Sequence, residues 1–139
     1  MPLDPTLAES WFRKAANQGH LQAADNYGLA QPETMGLGPI GSSKKALARA
    51  GVSASDLDVV EINEAFASQA IACIRDLGLK DETINKDGGA IAIGHPLGAT
   101  GAPSVGKAAA LLARDGGHYA LATQCIGGGQ GIATVLERA

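Results

Sequence analysis

Most of the nineteen glycines in this chain fall between residues 88 and 131. Nineteen is about twice the usual share of roughly 7%. Their crowding marks a local feature, a set of tight loops and close backbone approaches, and not general disorder. The chain has 139 residues, enough for one compact domain and little more. Aromatic residues are only 4% of it while hydrophobic residues are 45%. Its core must therefore be built from Ala, Val, Ile and Leu.

The residues around the glycines alternate in period. Residues 31–43 are broken by Pro32, Gly36, Gly38, Pro39 and Gly41 and read as a loop. Ser42 or Ser43 then caps a helix through residues 44–50, which Gly51 ends. Residues 58–62 form a short apolar strand. Phe66, Ala70, Ile74 and Leu77 share one helical face over residues 64–77, with Gly78 as the stop. Cys73 lies on the apolar side of that helix and reads as a small core residue. The run Ala90-Ile91-Ala92-Ile93 between glycines reads as a buried strand, and a glycine-rich loop leads from it into a helix over residues 102–113. Pro103 is acceptable in that helix's first turn. Residues 119–124 and 131–136 read as two strands whose short connection favours an antiparallel hairpin. The expected fold class is α/β, layered.

Residues 1–31 differ in character. Residues 7–29 read as a helical hairpin broken at Gly19-His20, and residues 8–20 resemble one unit of a Sel-type tetratricopeptide-like repeat. One such unit cannot bury its own apolar face; about three are needed. The segment is expected to be an add-on to a main domain covering residues 32–139.

Several functional classes are excluded. The net charge of −3 and the absence of clustered Lys and Arg argue against nucleic-acid binding. No apolar run approaches the ~18 residues of a membrane span. Met1-Pro2-Leu3-Asp4-Pro5 has no secretory character. Two cysteines make no disulfide framework, which points to a reducing, cytoplasmic setting.

Three reactive or polar residues follow expected strands: Asn63, His95 and Cys125. In open α/β sheets, sites form beyond strand carboxyl ends. Asn63 also suits an N-cap, since Glu64-Ala65-Phe66 follows it. His95, between Gly94 and Pro96, is locally rigid, as a residue that must keep one orientation requires. Cys125 precedes three glycines, whose N–H groups are free to converge as an anion nest and stabilise a thiolate. A tight hairpin with a buried cysteine is the simpler alternative. One Cys and one His with no carboxylate in the same loops do not complete a tetrahedral metal site.

The stretches Asn63-Glu64-Ala65-Phe66-Ala67, Gly88 through Ala102 and Cys125 through Gly131, with Met35-Gly36-Leu37-Gly38-Pro39 before them, resemble the C-terminal domain of the thiolases in order and spacing. The resemblance covers residues 32–137. It implies the C-terminal half of the thiolase fold, an α/β/α domain with a mixed sheet, here lacking its first strand and preceded by the helical segment. It implies reversible Claisen condensation of acyl-CoA, with coenzyme A thioesters as substrates and no further cofactor or metal.

His95 would then be the base that activates a nucleophilic cysteine. Asn63 would hold an oxyanion-site water, and Cys125 would move the substrate Cα proton or protonate departing CoA. The Gly127 N–H would bind the acyl-enzyme oxyanion, and Met35, Ala65 and Phe66 would line the pantetheine channel. The family's nucleophilic cysteine lies in an N-terminal half. Residues 1–31 do not resemble that half, so it is an expected partner, with a homo-oligomer as the other. Asp87 and Pro103 stand where the family pattern suggests Asn and Arg. Asp87 is expected to bring negative charge near the His95 loop.

Overall fold

The structure, a computed structural model, describes residues 36–139. The segment 1–31 and Met35 lie outside the described residues. Three strands form one mixed sheet in the order β1-β2-β3. β1 (Leu57–Ile62) runs parallel to β2 (Tyr119–Ile126), and β2 runs antiparallel to β3 (Gln130–Glu137). The hairpin is the one expected, with each strand longer than its apolar run.

Helices cover both faces. α1 (Gly38–Ala50) and α2 (Ala67–Leu77) lie on one face, where Leu47, Leu77, Val60 and Leu121 share a buried cluster. α4 (Gly101–Asp115) lies on the other, packing Ala108, Leu111 and Leu112 against Val59, Ala120 and Ala122. Successive residues along a strand point to opposite faces. Leu121 therefore serves one cluster while Ala120 and Ala122 serve the other, which makes the layered α/β/α arrangement. The contacts on the α4 side are mostly small, as the scarcity of aromatics requires.

α1 starts earlier than the glycine and proline punctuation suggested. Pro39 falls in its first turn, where the missing N–H costs nothing. Ser42 and Ser43 lie inside the helix and do not cap it. Ser42 Oγ donates back to the carbonyls of Gly38 and Pro39, at 3.2 and 3.3 Å. Ser43 is fully buried, and its Oγ donates to Thr123 Oγ1 at 3.0 Å; Thr123 Oγ1 donates on to the Ile132 carbonyl at 3.1 Å. This buried chain ties α1 through β2 to β3. α2 likewise starts later than expected, at Ala67. Phe66 is extended at its N-cap and 62% exposed, so it is off the buried face formed by Gln69, Ala70, Cys73 and Leu77.

The run Ala90–Ile93 is not a buried strand. It is α3, a single helical turn, with Ile91 and Ile93 each 67% exposed. Ile84 bridges to Val60 on the β1 edge, and the Asn85 amide donates to the Val60 carbonyl at 2.8 Å. The Asn85 side chain then takes the place of a further strand residue: Oδ1 accepts from the Ile62 amide and Nδ2 donates to the Ile62 carbonyl, both at 3.0 Å. With that edge occupied, the run folds back on itself.

Two glycines set how closely α1 approaches the hairpin. A Cβ on Gly131 would lie 2.2 Å from the Gly38 carbonyl carbon, and one on Gly38 would lie 2.3 Å from the Gln130 carbonyl oxygen. Both obstacles are backbone and cannot rotate away. Gly131→Ala should destabilise the domain by about 3 kcal/mol, at the upper end of the usual cost of overpacking. Urea unfolding followed by circular dichroism would check this; Gly41→Ala, where a Cβ meets nothing within 4 Å, is the matched control.

Candidate active site

The parallel pairing brings the expected site residues to one end of the sheet. Ile62 is opposite Thr123, and the Asn63 amide donates to the Thr123 carbonyl at 3.0 Å. β2 continues two residues past that point to Cys125, which pairs with Gly131 and is partly buried. Cys125 is thus within the strand and not in the loop after it. Gly127 opens the 3₁₀ turn Gly127–Gly129 that closes the hairpin, and is exposed. The start of α4 reaches the same end: a Cβ on Gly101 would lie 3.5 Å from Gln124 Nε2. Gly101, six residues after His95, therefore lies beside the residue that precedes Cys125.

His95 is exposed, but its ring is oriented. Nδ1 lies 2.6 Å from Thr100 Oγ1. Thr100 is buried, and its hydroxyl donates to the Pro96 carbonyl at 3.1 Å. A hydroxyl has one proton, and a carbonyl can only accept it. With the Thr100 proton on the Pro96 carbonyl, a neutral imidazole carries its own proton on Nδ1 and donates to Thr100, and the Nε2 lone pair is then free as a base. Thr100 is a site residue that sequence reading missed. Its signal was a hydroxyl five residues beyond the histidine and directly before a helix.

Asn63 is 3% exposed and does not cap α2. Neither Oδ1 nor Nδ2 has a hydrogen-bond partner among the described residues. Leaving such groups unpaired and buried costs about 1–3 kcal/mol each, so an arrangement of this kind points to a ligand. Asn63 lines a cavity of about 260 Å³ together with Glu61, Thr100, Pro103, Ser104 and Lys107. Glu61 is also buried. Desolvation pushes its carboxyl above the usual range, while the Lys107 ammonium, 3.0 Å from Oε2, pulls it down; the charges of Asp87 and Glu64 push it further up.

Cys73 is fully buried, and burial pushes its thiol up, against a hydrogen bond from Gln69. It is a core residue, as its helical position suggested. Ala65 is half-buried, and Phe66 projects into solvent. Asp87 brings a negative charge that is felt at Glu61, and it has an ion-pair partner. Arg114 Nη1 holds it at 2.6 Å. This pair is exposed and contributes little to stability, and Arg114 is shared with Asp115 at 2.7 Å. Among the described residues no group of three His, Cys, Asp or Glu side chains is placed to hold a metal ion, and no helix is long and apolar enough to cross a membrane.

The fold is an α/β/α domain with Asn63 at the carboxyl end of β1 and Cys125 near that of β2. The family model described as "Thiolase, C-terminal domain" matches residues 17–138, beginning inside the 1–31 segment. The chain belongs to this thiolase family. It is 57% identical over 110 residues to a 3-ketoacyl-CoA thiolase of Salmonella typhimurium, covering 77% of this chain and 28% of that protein. It is 54% identical over 115 residues to the beta-ketothiolase BktB of Cupriavidus necator, covering 81% of this chain and 29% of that protein. The crystal structure of human mitochondrial 3-ketoacyl-CoA thiolase superposes with a TM-score of 0.76 at 47% identity, over 78% of this chain and 28% of that one. The chain thus spans less than a third of the length of the relatives it matches.

The assignment of the His95 proton has a direct consequence. Thr100→Val should remove the acceptor at Nδ1 and leave the two neutral tautomers mixed. Nitrogen-15 NMR of the neutral imidazole should show a protonated Nδ1 and a bare Nε2 in the native chain, and intermediate shifts at both nitrogens in the variant.

Proposed function

We propose that this chain supplies the histidine–cysteine side of a thiolase active site, for reversible Claisen condensation and thiolysis of acyl-CoA. The observation that carries the reading is the gathering of Asn63, the His95 loop and Cys125 at one end of the sheet. The division of labour follows from what each group is able to do. His95, with Nε2 free, takes the proton of a nucleophilic cysteine and afterwards donates to the thioester oxygen. Asn63, whose polar atoms have no partner among the described residues, holds the water that completes that oxyanion site. Cys125 abstracts the Cα proton of the second acyl-CoA, or protonates the departing CoA thiolate. The Gly127 N–H binds the acyl-enzyme oxyanion.

A thioester Cα–H is a weak acid, and its enolate forms only where donors are already aimed at the developing charge. One such donor is worth about 3–4 kcal/mol. Met35, Ala65 and Phe66 line the pantetheine channel in this reading. The exposure of Phe66 suits a residue that a substrate or partner covers. The acyl substrate and no other cofactor is required.

The nucleophilic cysteine comes from an N-terminal thiolase half, supplied by the rest of a longer polypeptide or by a separate chain. Five apolar side chains around the site support a covering partner: Phe66, Ile91, Ile93, Leu97 and Ile126 are between 40% and 85% exposed. Exposed apolar groups that neighbour Asn63, His95 and Cys125 in sequence suit an interaction surface. A homo-oligomer is the other partner considered. Residues 32–139 form the thiolase domain in this proposal, and residues 1–31 an added segment. The two unpaired cysteines suit a reducing, cytoplasmic location.

A second reading is a truncated or fused thiolase remnant acting as an interaction module without catalysis. The family's nucleophilic cysteine has no counterpart among the motifs matched in residues 32–137, which is what this reading rests on. An assay separates the two. The 139-residue chain alone should give no thiolysis of acetoacetyl-CoA above background. Mixed with a thiolase N-terminal half, it should gain activity, and His95→Ala should then lower kcat by about 10²–10⁴-fold. Activity of the lone chain that Cys125→Ala abolishes would refute the requirement for a second half. No activity in the mixture would favour the non-catalytic reading. Light scattering provides a further check: the lone chain should associate, and a monodisperse monomer would count against the uncovered interface.

A further inference from the structure

The segment carrying His95 buries almost nothing of its own. Ile91 and Ile93 are each 67% exposed, Leu97 is 85% exposed, and every residue from 91 to 99 is exposed. α3 is four residues long, too short to persist by its own hydrogen bonds. Apolar packing and helix formation therefore leave its position undetermined, and polar contacts must set it.

Two carboxylates at the end of β1 provide those contacts. Glu64 Oε2 accepts from the Ile91 amide at 3.0 Å, and Oε1 accepts from Asn85 Nδ2 at 2.9 Å. Asn85 is itself fastened to both backbone groups of Ile62. Glu61 Oε2 accepts from Lys107 Nζ at 3.0 Å, and the same ammonium donates to the Gly88 carbonyl. Glu64 holds the turn through its second residue, and Lys107 holds the loop just before it. The backbone fits closely against the first of these clamps: a Cβ on Gly89 would lie 2.4 Å from both Glu64 Oε2 and Asn85 Nδ2. Asn63 lies between the two carboxylates in sequence.

We infer that Glu64 and the Glu61–Lys107 pair are positioning residues that clamp the 88–93 turn to the end of β1, and so set where His95 stands relative to Asn63. This rests on the reading in which those two residues act together. The chemistry makes the clamp selective. Both Glu64 oxygens face donors, so a carboxylate satisfies both. The amide of Glu64→Gln has one acceptor and must turn an NH₂ toward either the Ile91 N–H or the Asn85 amide. Lys107→Arg keeps a cation that is able to reach two acceptors, whereas Lys107→Met does not.

Hydrogen–deuterium exchange on the full 139-residue chain, followed by mass spectrometry, tests this. Glu64→Gln and Lys107→Met should each speed exchange in peptides covering residues 86–97 by tenfold or more. Peptides covering 119–126 should keep native rates, and Lys107→Arg should retain protection throughout. Unchanged exchange over 86–97 in both loosening variants would overturn the clamp. An equal acceleration over 119–126 would also overturn it, because it would give these residues a general structural role. In the complex with a thiolase N-terminal half, Glu64→Gln should lower kcat by tenfold or more with KM within twofold; an unchanged kcat in an active complex refutes positioning. If the native mixture shows no activity, the thiolase reading fails, and the exchange data still decide whether the clamp exists.

Discussion

The parallel pairing of β1 with β2 fixes the geometry on which the rest depends. Its last backbone contact, from the Asn63 amide to the Thr123 carbonyl, is also the first contact of the site. Parallel strands need a crossover between them, and the crossover here spans residues 63–118. It holds α2, the Asn85 bridge, α3, the His95 loop and α4. The chain must leave the sheet at Asn63 and return to it before Cys125. The two residues are far apart in sequence and adjacent at one sheet end. Cores on both faces hold the pair in place: Val60 and Leu121 on one side, Val59, Ala120 and Ala122 on the other.

Much of this was legible because the physics behind it is local. Helix stops at Gly51 and Gly78 were readable, since a left-handed residue after a helical stripe favours glycine, and both adopt that conformation with φ of 68° and 62°. The β2–β3 hairpin was readable from two apolar runs and a short glycine link. The position of Cys73 in the core followed from helical periodicity. The three candidate site residues were picked out because each followed an expected strand, which holds for Asn63 alone: Cys125 is inside its strand and a helical turn precedes His95.

What was not legible depended on tertiary context. Four apolar residues between glycines fit a strand and a helical turn equally well. The choice at Ala90–Ile93 was made by Asn85, whose side chain already occupies the β1 edge. The start of α1 was hidden because its glycines serve a close approach to β3, a long-range need that resembles loop composition. Asn63 read as a cap from its neighbours alone, and the delay of α2 to Ala67 removed that role. The partner of Asp87, Arg114, was not readable because it is 27 residues away. Thr100, Glu64 and Lys107 were missed for the same reason: each acts through a bond to backbone or to another side chain, and no short motif announces such a bond.

These residues share a pattern that bears on how an exposed histidine is made precise. An element packed by apolar side chains takes its position from the core, and core repacking moves it. The His95 segment has no such anchor. Its neighbours on the chain are exposed isoleucines and a leucine, which suits a surface that another body covers. Polar tethers solve the resulting problem at low cost in buried area. They fix the base of the segment to β1, while Thr100 fixes the far end and the ring. The ring is thereby held through Nδ1 by one buried hydroxyl. A segment held at both ends by hydrogen bonds, and bare between them, leaves its apolar side chains free to meet a partner without giving up the orientation of its base.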